Sequence, residues 1–196
     1  RSIADALQKG YFAELDAELE LRSAAYALAG GEQPLSEKET KMALDYVMFM
    51  YSRTARQEAE SQQAAADRQQ QIYFDTLLRN HPEIQSHPSG FYYLPLKEGK
   101  GRKAQYGLRV SFDYRSFFLM TGQPYDQTYG KRDPIVHVIG TPMFPGLIEA
   151  FQLMNAGSRY RFYFPYQVCF GARGSDGIPP FTPMIYEIEL HEIYDN

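Results

Sequence analysis

Apolar residues recur along this chain with two different periods. In the first part the period is that of a helix. Leu7, Tyr11, Leu15 and Leu19 fall four apart, with Phe12 and Leu21 nearby. Ser2 stands ahead of them as an N-cap, with Asp5 three residues on. After a break comes "LRSAAYALAGGEQPLS", where Gly30-Gly31 fits a C-terminal stop and Pro34 reinforces it. Ser36-Glu37-Lys38-Glu39 is a capping box: Ser36 caps, and Glu39 can reach back to the Ser36 N–H. A long helix is predicted to follow. Its first turns are amphipathic, with Met42, Tyr46, Phe49 and Met50 on one stripe.

The pattern then turns polar on every side. "SRTARQEAESQQAAADRQQQ", Ser52 to Gln71, has strong helix formers, no proline or glycine, and almost no large apolar residue. A helix of that kind usually bridges solvent between domains, and at about 1.5 Å per residue it would hold its ends tens of ångströms apart. Disorder is the alternative for such a composition; the residues favour helix. Ile72, Phe74, Leu77 and Leu78 offer a contact at the far end, and Pro82 and Pro88 close the helical region.

From Gly90 onward the period is two. "FYYLPLKEG", "RVSFDYRSFF", "YRFYFP" and "MIYEIEL" are predicted strands, and Pro145 to Met154 is a short helix ended by Gly157. Antiparallel strands around one helix give an α+β domain large enough for its own core. The short amphipathic helices of the first half would expose an apolar face as a monomer, and pairing of two chains would bury it.

Composition narrows the function. A formal net charge of −4 gives no reason to expect nucleic acid or a polybasic membrane contact. No apolar run is long enough to span a bilayer. Residue 1 already reads as a helix start, so no secretory signal is visible. Cys169 is the single cysteine, and His81, His87, His137 and His191 are scattered, so no metal site and no cofactor is expected. The glycines of "GARGSDGIPP", Gly171 to Pro180, suggest a phosphate cradle. A cradle needs a helix after it, and here two prolines and a strand follow. The segment is a strand-to-strand loop.

Four motifs in order carry a resemblance. "SGFYYLPLKEGKG", "VSFDYRSFFLMTGQPYDQTY", "FPGLIEAFQLMNAGSRYRFYFP" and "CFGARGSDGIPPFTPMIYEIEL" resemble the opening strand, tyrosine strand with its phenylalanine-aspartate, proline-glycine-tryptophan helix, and flap with final strand of the FK506-binding (FKBP) class of peptidyl-prolyl isomerases. More loosely, "SIADALQKGYFAELD", "AAYALAGGEQPLSEKE" and the long polar helix resemble the N-terminal layout of the Mip and FkpA subgroup. The resemblance implies an all-α dimerisation domain with a long linking helix over residues 1–89, and a half-barrel antiparallel sheet wrapped on a short helix over 90–196. It further implies a homodimer through residues 1–50, unfolded or proline-containing polypeptides as partners, and a location in the periplasm or envelope of a Gram-negative bacterium, with a lipid tether upstream of residue 1 in some members.

Carried over by position, the resemblance makes Asp126, Tyr114 and Phe170 the catalytic group. Tyr125, Ile135, Met143, Phe144, Leu147, Ile178 and Tyr186 would bind substrate, with the Phe144 backbone N–H as an anchor. Core packing is the alternative role for Tyr114 and Tyr186, and turn capping for Asp126. The chain departs from the family at several of these positions. Leu147 stands for the tryptophan that floors the pocket, and Phe170 for a tyrosine whose hydroxyl bonds the ligand. Tyr125 stands for a phenylalanine, Ile135 for another aromatic, and the segment from Tyr114 to Tyr125 is one residue longer. These changes imply weakened catalysis and poor affinity for macrolide inhibitors. A weakly catalytic or non-catalytic peptide-binding chaperone is the competing reading. A redox role for Cys169, beside the pocket, is set against simple packing there.

Overall fold

The alternation of Met184, Tyr186, Ile188 and Leu190 with Ile185, Glu187 and Glu189 builds an inner strand of an antiparallel sheet. The architecture is that of a computed structural model, which describes residues 37–130, 133–140 and 142–195. The helices expected before Ser36, the caps Ser2 and Ser36, and the side chains of Met42 and Tyr46 lie outside the described residues.

Helix α1 (Glu37–Asn80) takes in the whole polar stretch as one helix. Its solvated part carries an Arg56–Glu60 ion pair at 2.8 Å, four residues apart. The strands follow as β1 (Gln85–Ser86), β2 (Tyr92–Lys97), β3 (Arg109–Phe118), β4 (Pro124–Gln127) and β5 (Ile135–Val138). Helix α2 (Pro145–Leu153), β6 (Arg159–Phe164), a 3₁₀ turn (Tyr166–Val168) and β7 (Met184–Tyr194) complete the chain. The sheet order is β1-β2-β6-β7-β3-β4, with β5 also pairing β3. The long strands match the expected ones to within a few residues. The pattern of residues does not predict β4 and β5: they are four residues each, too short to show a period.

By internal contacts the second compact unit begins at Gln63 and runs to the C-terminus, whereas the pattern of residues puts a division at 89/90. One sheet face of this unit packs on α2. Phe151 is fully buried there, its ring 4.8 Å from that of Phe112. Phe162, Phe164, Met184 and Ile188 are also fully buried. On the other face a smaller cluster forms around Phe74, Ile84, Leu119 and Tyr163, with Leu77 and Leu78 beside it. Phe74 meets Tyr92 at 4.6 Å. Ile72 does not join it and is 59% exposed. Two residues along a helix is about 200° of rotation, so Ile72 faces away from whatever Phe74 touches.

The same outer face holds a buried acid. Glu187 is 3% exposed although its place in the alternation assigns it to the polar side. Register pairs it with Arg115 on β3 and Arg161 on β6. Arg115 Nη2 donates to one carboxylate oxygen at 2.5 Å and Arg161 Nη2 to the other at 2.9 Å. The Arg115 guanidinium also lies over the Tyr129 ring at 5.6 Å.

Candidate active site

β3, β4 and β7 bring the aromatic side chains of the site together by register. Ser116 pairs with Tyr186 on β7 and with Asp126 on β4, so Tyr114, two residues back, is a diagonal neighbour of both. The Tyr114 and Tyr186 rings stack with centroids 5.8 Å apart. The Tyr114 hydroxyl donates to Asp126 Oδ2. Asp126 is fixed again through its backbone: its N–H donates to Ser116 Oγ at 3.2 Å, and that hydroxyl lies 3.1 Å from the Asp126 carbonyl. Ser116, 1% exposed among apolar neighbours, was not singled out beforehand; a lone serine on the inward face of β3 was the available signal.

The loop before α2 supplies the next wall. Phe144 occupies the N-cap position with extended backbone, and its carbonyl accepts the Leu147 N–H at 3.0 Å. Its ring meets Phe170 and Phe164 at 5.1 Å each and Tyr186 at 5.5 Å. Among the described residues no protein acceptor takes the Phe144 N–H. Ile135, Met143, Leu147 and Phe170 are half-buried against the same core cluster, and Ile178 is buried within it. Together these side chains form an aromatic and aliphatic cluster, joined to the Asp126 carboxylate through the Tyr114 hydroxyl.

Tyr125 stands apart, at the rim. The β3–β4 register shifts between Ser116–Asp126 and Phe117–Pro124, leaving Tyr125 as an extra residue without a partner on β3. Such a bulge re-aims a side chain. The Tyr125 ring meets Phe118 edge-on, and its hydroxyl donates to the Asp176 carbonyl at 2.7 Å. Asp176 belongs to the "GARGSDGIPP" loop, so that loop is tied down across the rim. Ser175 and Ile178 exchange backbone hydrogen bonds of 2.9 Å around a tight turn that places Gly177 at φ +71°. Tyr125→Phe removes only the hydroxyl. Native-state exchange of the Ile178 amide is then expected to quicken about fivefold, and an unchanged rate would count against the tether.

Burial pushes the Tyr186 hydroxyl well above the ordinary phenol range, with Cys169, Tyr114 and Tyr125 adding to the effect. It stays protonated at any working pH. Burial likewise drives the Cys169 thiol up, only partly offset by the Phe170 N–H. A thiol this hidden and this weakly acidic packs rather than reacts. Labelling of Cys169 by a disulfide reagent at pH 8 should be slow in the native protein and immediate on unfolding. Rapid native labelling would restore the redox reading. Among the described residues no group of three or more His, Cys, Asp or Glu side chains is placed to hold a metal ion.

Known proteins resemble this chain in sequence and fold. Residues 100–191 match the family described as FKBP-type peptidyl-prolyl cis-trans isomerase. An FK506-binding protein of Neisseria meningitidis serogroup A is 31% identical over 102 residues, covering 51% of this chain and 93% of that protein. An outer membrane protein MIP of Legionella longbeachae is 28% identical over 165 residues, covering 83% of this chain and 69% of its own. The crystal structure of FkpA from Escherichia coli superposes with a TM-score of 0.64 over 97% of this chain and 88% of that one, at 19% identity, which shows a common fold. The chain therefore belongs to the FKBP-type peptidyl-prolyl cis-trans isomerases.

Proposed function

We propose that this cluster lines a bowl in residues 90–196 that catalyses cis–trans isomerisation of Xaa-Pro bonds in unfolded or partly folded polypeptides. The observation that carries this reading is the Tyr114–Asp126 hydrogen bond beside an otherwise apolar, aromatic cluster. Isomerisation crosses a barrier of about 20 kcal/mol because amide resonance must be broken. It needs no nucleophile. A pocket that binds the twisted amide better than either planar form lowers the barrier. The twisted amide has lost its resonance charge separation, so apolar walls such as Phe144, Phe170 and Tyr186 favour it. The Phe144 N–H, which no acceptor among the described residues takes, would bond the substrate backbone, and Tyr114 would hold the Asp126 carboxylate at the reacting end.

The chain acts on polypeptides as a homodimer joined through residues 1–50. Met48, Phe49, Met50 and Tyr51 support this pairing, being 58%, 59%, 39% and 54% exposed in the single chain. An envelope location in a Gram-negative bacterium accords with the name of the Legionella longbeachae relative. Leu147 and Phe170 support a second reading, a chaperone whose isomerase activity is weak, because neither the floor indole nor the wall hydroxyl is present. The test is refolding of a protein whose slow phase waits on a proline. Acceleration at substoichiometric concentration supports catalysis. Suppressed aggregation with an unaltered slow phase supports the second reading.

A further inference from the structure

The polar end of α1 grips the turn that leads into Phe170. Gln70 is 8% exposed, although the helix around it is built of solvent-facing residues. Its Oε1 accepts the buried Tyr166 N–H at 2.9 Å, and its Nε2 donates to Gln167 Oε1 at 3.0 Å. Asp67, three residues earlier on the same helix face, accepts twice at Oδ1: from the Tyr166 hydroxyl at 2.8 Å and from Gln167 Nε2 at 2.9 Å.

Tyr166 passes this constraint to the site in two directions. Its carbonyl accepts the N–H groups of Cys169 at 3.1 Å and Gly171 at 2.8 Å, which fixes the backbone on both sides of Phe170. Its ring meets Phe181 edge-on at 5.3 Å. Phe181 closes the flap: its N–H donates to the Gly171 carbonyl at 3.1 Å, and it holds φ at +56°. A non-glycine residue keeps such a backbone only where its surroundings over-determine it. The turn also seats against α2, because a Cβ added at Gly146, next to Leu147, would meet the Val168 carbonyl at 2.7 Å.

We propose that Asp67, Gln70 and Tyr166 are positioning residues for the isomerase site. They set the Phe170 wall and the base of the 171–181 flap, so the shape of the bowl depends on the last turns of α1. This rests on the bowl being the catalytic site. A wall displaced by a fraction of an ångström weakens the fit to the twisted amide more than the holding of a planar peptide, so turnover suffers before affinity.

The test uses the full chain with Asp67→Ala, Tyr166→Phe, the double variant and Asp67→Asn. kcat and KM are measured separately on an Xaa-Pro peptide, together with the amide resonances of Phe170 and Gly171. Each single variant is expected to lose about fivefold in kcat with KM held within about twofold. The double variant should lose no more than Asp67→Ala alone, since Asp67→Ala already removes the bond that Tyr166→Phe breaks. Asp67→Asn keeps the acceptor oxygen and should recover most of the loss. Unchanged kcat with unshifted amides overturns the proposal, as does an additive loss in the double variant that follows thermal stability alone. Asp126→Ala is run beside them. If wild type shows no isomerisation, the catalytic reading fails, and the amide shifts of Phe170 and Gly171 alone decide whether α1 positions the wall.

Discussion

Asp126→Ala is expected to lower kcat/KM for an Xaa-Pro peptide by about 10- to 100-fold while the protein stays folded. The carboxylate sits on β4, half-buried, with the Tyr114 hydroxyl donating to one oxygen. A fixed charge beside apolar walls acts more strongly on a nearby carbonyl dipole than it would in water. Removing it takes away both the charge and the partner that orients Tyr114, whose ring forms part of the wall through its stack with Tyr186. Asp126→Asn separates the two losses, since the amide oxygen still accepts from Tyr114 but carries no charge. An Asn variant near wild type would assign the role to orientation, and one near the Ala variant would assign it to charge. The backbone bonds between Asp126 and Ser116 survive either change, so the melting temperature should fall by only a few degrees.

Glu187→Ala should act in the opposite sense, costing stability and sparing catalysis. The acid is buried on the sheet face away from α2 and carries two arginines. Its loss leaves both guanidinium groups without their partner. They are 43% and 42% exposed, so water compensates in part, and the expected cost is about 2 kcal/mol rather than the larger figure of a fully buried pair. That corresponds to roughly 6–10 °C in melting temperature for a unit of this size. Burial by itself would raise the Glu187 carboxyl; Arg115 and Arg161 outweigh it and hold it below the usual carboxylate range. The stabilisation is therefore complete above the unfolded-state value of about 4.3 and is lost as the pH falls through the lower folded-state value. Melting curves of wild type and Glu187→Ala from pH 7 to pH 2 should converge at the acid end. Curves that stay parallel to pH 2, or a variant as stable as wild type at pH 7, would show that the pair contributes nothing.

The sheet was legible because its inner strands are long and one-sided. Met184, Tyr186, Ile188 and Leu190 announce both the strand and its inward face, and Tyr114 falls on the inward face of its strand by the same rule. The motifs around Asp126, Phe144 and Ile178 identified the family because their order along the chain is specific. Three things escaped. β4 and β5, four residues each, are too short for a period to emerge. The burial of Glu187 is invisible to alternation, which reports polarity, because a carboxylate between two arginines is polar and buried at once. The grip of α1 on the 3₁₀ turn runs through Asp67 and Gln70, residues that a hydrophobic pattern counts as solvated. Ile72, which that pattern favoured, faces water.

The most direct test of the account is two-dimensional exchange NMR on an Xaa-Pro peptide with the isotope-labelled full chain at catalytic concentration. It reads the cis–trans rate and the responding amides in one experiment. The account predicts an exchange rate well above the uncatalysed one, on the order of once in tens of seconds, with shifts at Tyr114, Asp126, Phe144, Phe170 and Ile178. An uncatalysed rate, or shifts confined to the Glu187 face of the sheet, would contradict it.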